Sequence, residues 1–266
     1  MYNITLGSDP EIFIEKDGKV VSAIGMIPGT KDEPYPISND GHYIQTDNIA
    51  FEYNIPPCAT EDEFVYHITF VKDYLRGIAE SNGCTLSTKA SELVDPKELK
   101  HPQALVFGCE PDFNPYDICV NERPSAKDSN LRSVGGHIHI GYPEPSQEKS
   151  EKIVKAFDMF VALPAMFIDT DERRRELYGK AGAFRFKEPW GVEARVLSNF
   201  WIHDESLIRW VYQQTIKAVT LVLNGEYDKT YAQHEKTVQS IINTNNKEEA
   251  TKFIETVVNN KELITI

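Results

Sequence analysis

The sequence predicts an α+β fold, because strand-like stretches with polar side chains on one face are interspersed with long amphipathic helices. Four apolar-rich strands each carry two polar groups at a spacing of two residues: Asp9 and Glu11, Glu52 and Asn54, His137 and His139, and Glu193 and Arg195. Residues two apart in a strand share a face and lie about 7 Å apart. A half-buried strand normally turns apolar side chains inward. The repeated departure from that pattern predicts a functional site on the face of a sheet.

The first 25 residues predict a β-hairpin with an Asp17-Gly18 turn. Pro10 has no amide hydrogen to donate to a ladder, so we expect its strand at a sheet edge or bulged beside Asp9 and Glu11. Residues 26–48 are rich in Pro, Gly, Asp and Asn and predict one long connection. Loops of that length in compact domains are often functional, so we take it as a candidate lid.

Three long helices are predicted. Thr60 and Glu63 form a capping box that opens a helix running to Gly83, which should cover the sheet. Ser146 should cap a second helix, which Pro164 should kink. Asp204 should cap a third.

The remaining segments are less regular. Residues 105–108 predict a strand piece, and Glu110-Pro111-Asp112 repeats the acidic-proline-acidic pattern of the first strand. Residues 1–225 are expected to form the catalytic domain, its last helix closed by Gly225. Residues 226–266 are expected to form a C-terminal helical appendage packed on the same domain.

Composition narrows the function. The chain has 266 residues and a net charge of −13, which argues against nucleic-acid binding over a broad surface. Its four cysteines form no Cys-x-x-Cys pair. With no apolar run of about 18 residues and no secretory leader pattern, we expect a cytoplasmic protein without a membrane span.

The carboxylates, the histidine pair and the arginines together predict cation and phosphate chemistry. An unpaired buried carboxylate such as Glu52 is costly, and a cation or an arginine would resolve that cost. Carboxylates favour Mg²⁺ or Mn²⁺, and arginine suits phosphate oxygens. There is no P-loop motif. Taken singly, the histidines also fit a structural pair, Glu193 a simple ion pair, and residues 173–175 a solvated helix end.

These residues resemble the glutamine synthetase and glutamate-cysteine ligase superfamily, and most closely its phage-type carboxylate-amine ligases. The matching segments, in the family's order, are GSDPEIF, DNIAFEYNIPP, GGHIHIGY, LPAMFIDTDERRRELYGKAGAFR and GVEARVLSNFW. The resemblance implies a curved antiparallel sheet whose concave face holds ATP and two or three Mg²⁺ or Mn²⁺ ions, with helices packed on the outer face.

The resemblance also implies roles for single residues. It implies metal binding by Asp9, Glu11, Glu52, His137 and Glu193, although Asp9 stands where the family more often has Glu. It implies catalytic roles for Glu52, Arg185 and Arg195. It implies nucleotide or substrate contacts by His139, Arg174, Arg175, Tyr178, Lys180, Arg185 and Arg195.

The implied activity is ATP-dependent ligation of a carboxylate to an amine through an acyl phosphate. The expected partners are small-molecule or peptide carboxylates and amines, and the host cytoplasm is the expected location if a phage encodes the chain. The family includes large rings and smaller assemblies, so the oligomeric state and the substrates stay open. Two alternatives remain: a Zn²⁺- or Fe²⁺-dependent hydrolase or oxygenase that uses His137 and His139, and a non-catalytic nucleotide- or peptide-binding descendant.

Overall fold

The computed structural model describes residues 2–106, 112–121, 129–174 and 178–259. In that part of the chain the strands are β1 Thr5–Ser8, β2 Glu11–Ile12, β3 Ile14–Lys16, β4 Lys19–Val21, β5 Tyr35–Pro36, β6 Tyr43–Asp47, β7 Ala50–Asn54, β8 Thr85–Leu86, β9 Ser91–Leu93, β10 Phe113–Asn114, β11 Cys119–Val120, β12 Leu131–Ser133, β13 Ile138–Gly141, β14 Phe184–Lys187 and β15 Gly191–Ala194. The α-helices are α1 Glu61–Ser81, α2 Gln147–Phe157, α3 Glu205–Leu223, α4 Glu226–Thr230, α5 Glu235–Thr244 and α6 Lys247–Phe253.

The strands pair antiparallel throughout the described part of the chain, which confirms the predicted α+β class. A six-stranded sheet has the order β1-β13-β15-β14-β10-β11, and a four-stranded sheet has the order β2-β7-β6-β5. The chain leaves the edge of the first sheet and enters the edge of the second within Asp9 and Pro10. Smaller ladders join β9 to β12 and β3 to β4 and β8. Pro10 therefore lies at a sheet edge, as its missing amide hydrogen requires.

The N-terminal hairpin forms as predicted. Asp17 and Gly18 take positive φ values of 51° and 75°, which is the backbone that a two-residue turn between twisted strands needs. The turn joins β3 to β4.

The prediction of one long connection over residues 26–48 is wrong for its second half. Tyr43–Asp47 forms β6, which pairs with β7 along its whole length, and Tyr35–Pro36 adds a short edge strand. Gln45 and Asp47 of this stretch belong to β6, where Gln45 pairs with Glu52 and Asp47 lies near Glu11 and Glu52. The candidate lid is thereby reduced to residues 26–42.

The strand predicted around residues 105–108 is also wrong where the structure describes it. Leu105 ends a 3₁₀ turn, Pro102–Leu105, because Pro102 and the His101 side chain set up a turn instead of an extended chain. Phe107, Gly108, Glu110 and Pro111 lie outside the described residues.

The helices begin where the capping residues predict. Thr60 accepts from the Glu63 amide in a full capping box, Ser146 caps α2, and Asp204 caps α3. Gly225 follows α3 with φ 74°. α2 packs on the outer face of β14 and β15.

At the predicted kink the regular helix gives way to one π-turn, Asp158–Ala162, which is separated from Pro164 by Leu163. The helix ends at Ala165. The Leu163 amide donates to the Asp158 carbonyl, five residues back. Proline has no amide hydrogen to restore the regular ladder at this point.

The C-terminal segment is helical over α4 to α6, and α5 packs against the π-turn. Asn245 ends α5 in the left-handed region and Asn246 caps α6, at the predicted polar break. Among the described helices, none has the length and apolar content that a membrane crossing would require.

Candidate active site

Two clusters of side chains that could hold a metal ion lie where the six-stranded and four-stranded sheets meet. Asp9, His137 and Glu193 form the first, which we call the imidazole position. Glu11, Asp47 and Glu52 form the second, which we call the carboxylate position. Within each cluster the candidate ligand atoms lie within 4.8 Å of one another. The two-residue step from Asp9 to Glu11 sends one carboxylate to each position.

Strand register brings these side chains together. His139 lies opposite Gly7 on β1 and opposite Glu193 on β15, and Glu193 in turn lies opposite Arg185 on β14. Residues directly opposite in an antiparallel pair share a face. In the second sheet Glu52 lies between Glu11 and Gln45 by the same rule.

A pair of glycines lets the strands approach at the seam. The Gly135 amide donates to Glu11 Oε2 at 2.7 Å, and its carbonyl accepts from the Glu11 amide at 2.9 Å. A Cβ on Gly136 would lie 2.5 Å from the Ser198 carbonyl oxygen. The close approach of the two backbones at these glycines holds Glu11 in place.

Neighbouring groups hold the two carboxylates of the imidazole position, Asp9 and Glu193, in their charged form. Asp9 Oδ1 lies 3.2 Å from His137 Nδ1 and 3.3 Å from His139 Nε2, so the two rings share one face as predicted. Burial alone would raise the pKa of Asp9, but the charges of His139 and His137 hold it well below its usual range. Burial likewise opposes ionisation of Glu193, yet Arg195 lowers its pKa to about 2.

The two imidazoles differ. Burial and the Arg195 charge lower the pKa of His137. Burial also opposes the charged form of His139, but Asp9 outweighs it and raises the pKa of that ring. A neutral imidazole is the form that binds a metal.

The carboxylate position has the opposite electrostatics. Burial, with Asp47 next in importance, raises the pKa of Glu11 to about 7 and that of Glu52 well above its usual range. Lys31 Nζ lies 2.7 Å from Asp47 Oδ2. Among the described residues, Glu52 Oε2 has no hydrogen-bond partner although it is buried. A buried carboxylate oxygen without a partner points to a ligand such as a cation.

Basic side chains border the imidazole position. Arg195 Nε lies 2.6 Å from Asp112 Oδ1, and its Nη1 contacts Glu193 and lies 3.3 Å from His137 Nδ1. Arg185 Nη1 lies 3.5 Å from Glu193, and Lys187 Nζ lies 2.9 Å from the same carboxylate. Glu193 therefore forms the ion pairs that were expected if it had no metal-binding role, and it also belongs to the cluster with Asp9 and His137.

A cavity adjoins both positions. Its lining includes Glu11, Asp47, Arg132, His137, Arg174, Tyr178 and Arg195. Arg174 is buried and donates to the carbonyls of Val134 and Val196, at 3.0 and 2.8 Å, so it also braces the cavity wall. The alternative interpretation of residues 173–175 as a solvated helix end is therefore wrong for Arg174. The Lys180 side chain is exposed on its turn. Arg175 lies outside the described residues.

Sequence reasoning missed four charged residues of this site: Lys31, Asp47, Asp112 and Lys187. Asp47 follows Gln45 at the same two-residue spacing that marked the other strands, so the signal was present but lay in a stretch assigned to a loop. Lys187 repeats that spacing after Arg185. Asp112 belongs to the acidic-proline-acidic pattern that repeats Asp9-Pro10-Glu11, but no site role followed from that pattern alone. Lys31 lies outside any periodic pattern, and only the fold brings it to the site.

The residues fit hard divalent cations. The carboxylate position offers three carboxylates in contact range, which suits Mg²⁺ or Mn²⁺. The imidazole position adds one neutral histidine to two carboxylates, a set that Mn²⁺ accepts readily.

Two solved structures show distant similarity to the chain. A structure described as apo GmaS without ligand is 12% identical with a TM-score of 0.46, covering 99% of this chain and 67% of that chain. A GmaS/ADP complex is 10% identical with a TM-score of 0.44, covering 83% of this chain and 56% of that chain. No curated protein sequence matches the chain.

A family comparison is more informative. The sequence model of the phage phiEco32-like COOH.NH2 ligase-type 2 family matches residues 125–261, which is just over half of the chain. The match includes the histidine pair and the Arg185–Arg195 hairpin, and it continues through the C-terminal helices. The chain therefore belongs to the phage phiEco32-like COOH.NH2 ligase-type 2 family.

Proposed function

We propose that the protein is an ATP-dependent carboxylate-amine ligase that makes an amide through an acyl phosphate. The observation that carries the proposal is the placement of two cation positions beside one group of arginines at the seam of two sheets. Membership of a carboxylate-amine ligase family supports the same reaction class.

The proposed cations are Mg²⁺ or Mn²⁺. Glu11, Asp47 and Glu52 would hold one, and Asp9, His137 and Glu193 a second. Bound there, they would neutralise the polyphosphate and the charge that develops during phosphoryl transfer.

In the first step a carboxylate oxygen of the substrate attacks the γ-phosphorus of ATP, and the bond from that phosphorus to the bridging oxygen breaks, releasing ADP. Arg185 and Arg195 border the imidazole position and are aligned by Asp112 and Glu193. Guanidinium groups held in this way can donate to the oxygens of the transferring phosphoryl group without reorganising.

In the second step the amine nitrogen attacks the acyl carbon. Phosphate leaves with the electron pair of the C–O bond, and the nitrogen loses a proton as the amide forms. An acyl phosphate is open to hydrolysis, so the site must limit access of water. The burial of Glu11, Glu52, His137, Glu193 and Arg195 meets that need in part. We propose residues 26–42, which carry Lys31, as the segment that closes the remainder.

A second candidate is favoured by one observation. Asp9 contacts both His137 and His139, and two imidazoles with one carboxylate form a set that Fe²⁺ and Zn²⁺ also use. A metal hydrolase or oxygenase of this kind would have no function for the three carboxylates of the carboxylate position or for the arginines. We therefore place it after the ligase.

The test is release of ADP from Mg²⁺-ATP by the purified protein, with pooled amino acids, short peptides and polyamines as substrates. Turnover should require both a carboxylate and an amine. It should disappear in Glu52→Gln and Arg195→Ala, and it should persist in Glu15→Gln, whose carboxylate pairs with Lys89 away from the site. Absence of ATP binding together with tight binding of Zn²⁺ or Fe²⁺ would instead support the second candidate. Nucleotide binding without turnover would support a non-catalytic descendant.

A further inference from the structure

Side-chain exposure beside the imidazole position increases toward the turn that joins β14 to β15. Glu193 is 1% exposed at its side chain, His139 next to it 24%, and Lys187 34%. Trp190, in the turn of the hairpin, is 40% exposed. Its ring lies beside His139, with the ring centroids 5.6 Å apart and the planes inclined by 48°. A path from the buried charges to solvent therefore passes His139 and ends at an indole.

Trp190 differs from the other tryptophans of the chain. Trp201 is fully buried and Trp210 is 8% exposed, and both belong to the main core. The backbone of Trp190 is fixed, because its amide donates to the Lys187 carbonyl at 2.9 Å and its carbonyl accepts from the Tyr142 amide at 3.4 Å. A large aromatic ring held on a fixed turn beside a charged site is a preformed flat surface for a ligand.

The chemistry of a nucleotide matches this gradient. Its phosphates require the cations and the guanidinium groups, which would lie in the buried part of the site. Its base is uncharged and fits the solvent-exposed part of the site, where Trp190 lies. We propose that Trp190 is the stacking surface for the purine base of the nucleotide, with His139 and Lys187 lying between the base and the transferring phosphate. The inference rests on the proposed ligase function and names the residue that recognises the nucleoside part of its substrate.

With the nucleotide base placed at Trp190, the cavity beside the carboxylate position is left for the carboxylate substrate. The cavity that Arg132, Arg174 and Tyr178 line adjoins the carboxylate position, on the side where Glu11 and Asp47 lie. Displacement at phosphorus requires the attacking and leaving oxygens to lie in line, so the carboxylate substrate is assigned to this cavity and the base to Trp190.

The experiment compares ligands with and without a base. Binding of ADP and of inorganic tripolyphosphate, each with Mn²⁺, is measured by calorimetry for the wild type, Trp190→Ala and Trp190→Phe. Base stacking on an aromatic ring supplies about a 5- to 150-fold gain in affinity. Trp190→Ala should lose ADP affinity within that range and keep its tripolyphosphate affinity, and Trp190→Phe should recover most of the loss. Tyr74→Ala, which removes an exposed aromatic ring from α1, should change neither affinity.

The outcomes separate this inference from the proposed function. Unchanged ADP affinity in Trp190→Ala, or an equal loss for ADP and tripolyphosphate, would overturn the role of Trp190 and leave the ligase proposal standing. If the wild type binds neither ligand, the ligase proposal fails and the stacking role fails with it. Because the turn is exposed, circular dichroism of the variants should match the wild type and show that a loss is local.

Discussion

The two candidate cation positions use similar side chains in opposite electrostatic states. At the imidazole position Arg195 and the two histidines outweigh burial, so the pKa values of Asp9 and Glu193 lie below their usual range. At the carboxylate position burial and mutual repulsion dominate, so the pKa values of Glu11 and Glu52 are raised. The difference shows that the number of carboxylates does not set the charge of a site. The charge of each site is set by the positively charged groups that the fold places around its carboxylates.

A functional difference follows. The imidazole position already holds its negative charge, and a divalent ion there must share its ligands with Arg195 and Lys187. The carboxylate position should release protons when a cation binds, since burial raises the pKa values of Glu11 and Glu52. Binding at the second position should therefore depend more steeply on pH near neutrality.

The largest expected effect comes from removing Asp47, a carboxylate in a stretch that the sequence analysis assigned to a loop. Asp47→Asn should lower turnover by about 10²- to 10³-fold, because the carboxylate position then loses one of its three candidate metal ligands. The number of Mn²⁺ ions bound at saturation should fall by one, as counted by electron paramagnetic resonance. Asp117→Asn, which removes an aspartate paired with Lys236 outside the site, is the matched control. Full activity of Asp47→Asn would remove Asp47 from the site.

A second effect concerns stability in the absence of cations. The Glu11 pKa rises from 4.5 to about 7 on folding, so between these values the folded protein keeps a proton that the unfolded chain releases. Its contribution is fully present below pH 4.5 and is lost as pH rises through 7, a change on the order of 3 kcal/mol. Glu11→Gln cannot lose that proton and can keep the bond from the Gly135 amide.

Denaturant unfolding at pH 5 and pH 7.5, without divalent ions, measures this difference. Glu11→Gln should become more stable relative to the wild type as the pH rises. Added Mn²⁺ should stabilise the wild type more than the variant at pH 7.5, because the variant keeps only the imidazole position intact. Asp158, a buried residue of the π-turn whose pKa burial raises to about 8, gives a comparison. Asp158→Asn should show a similar pH trend that Mn²⁺ does not reverse. A pH-independent difference for Glu11→Gln would contradict the electrostatics described for the carboxylate position.

The smallest effect tests the lysine at the carboxylate position. The Lys31 ammonium contacts Asp47 and competes with a divalent ion for it, but its side chain is partly exposed and therefore screened by solvent. Lys31→Met should raise Mn²⁺ affinity at this position by about two- to fivefold. Lys89→Met, at an ion pair with Glu15 and Glu92, should leave the affinity unchanged. Weaker Mn²⁺ binding in Lys31→Met would mean that Lys31 helps to organise the position.

Much of the fold could be predicted because its signals are local. The Asp17-Gly18 turn, the capping box of Thr60 and Glu63, and the caps Ser146 and Asp204 each depend on a few adjacent residues. The strand between residues 43 and 47 was missed because its polar composition outweighed its alternation. Its backbone is extended because it pairs with β7, and that pairing is not a local property.

By itself the sequence determined that His137 and His139 lie on one side, since a period of two places them together whatever the partners are. The same rule failed for Asp9 and Glu11, because β1 ends at Ser8 and β2 of the other sheet begins at Glu11. The tertiary structure alone decided how these side chains divide into two positions. The chain changes sheets at Pro10, so neighbours in sequence join different clusters. It also decided the charge state of each cluster, because Lys31, Asp112 and Arg195 arrive from distant segments. Electrostatic interaction depends on distance through space, which strand register and sheet packing set.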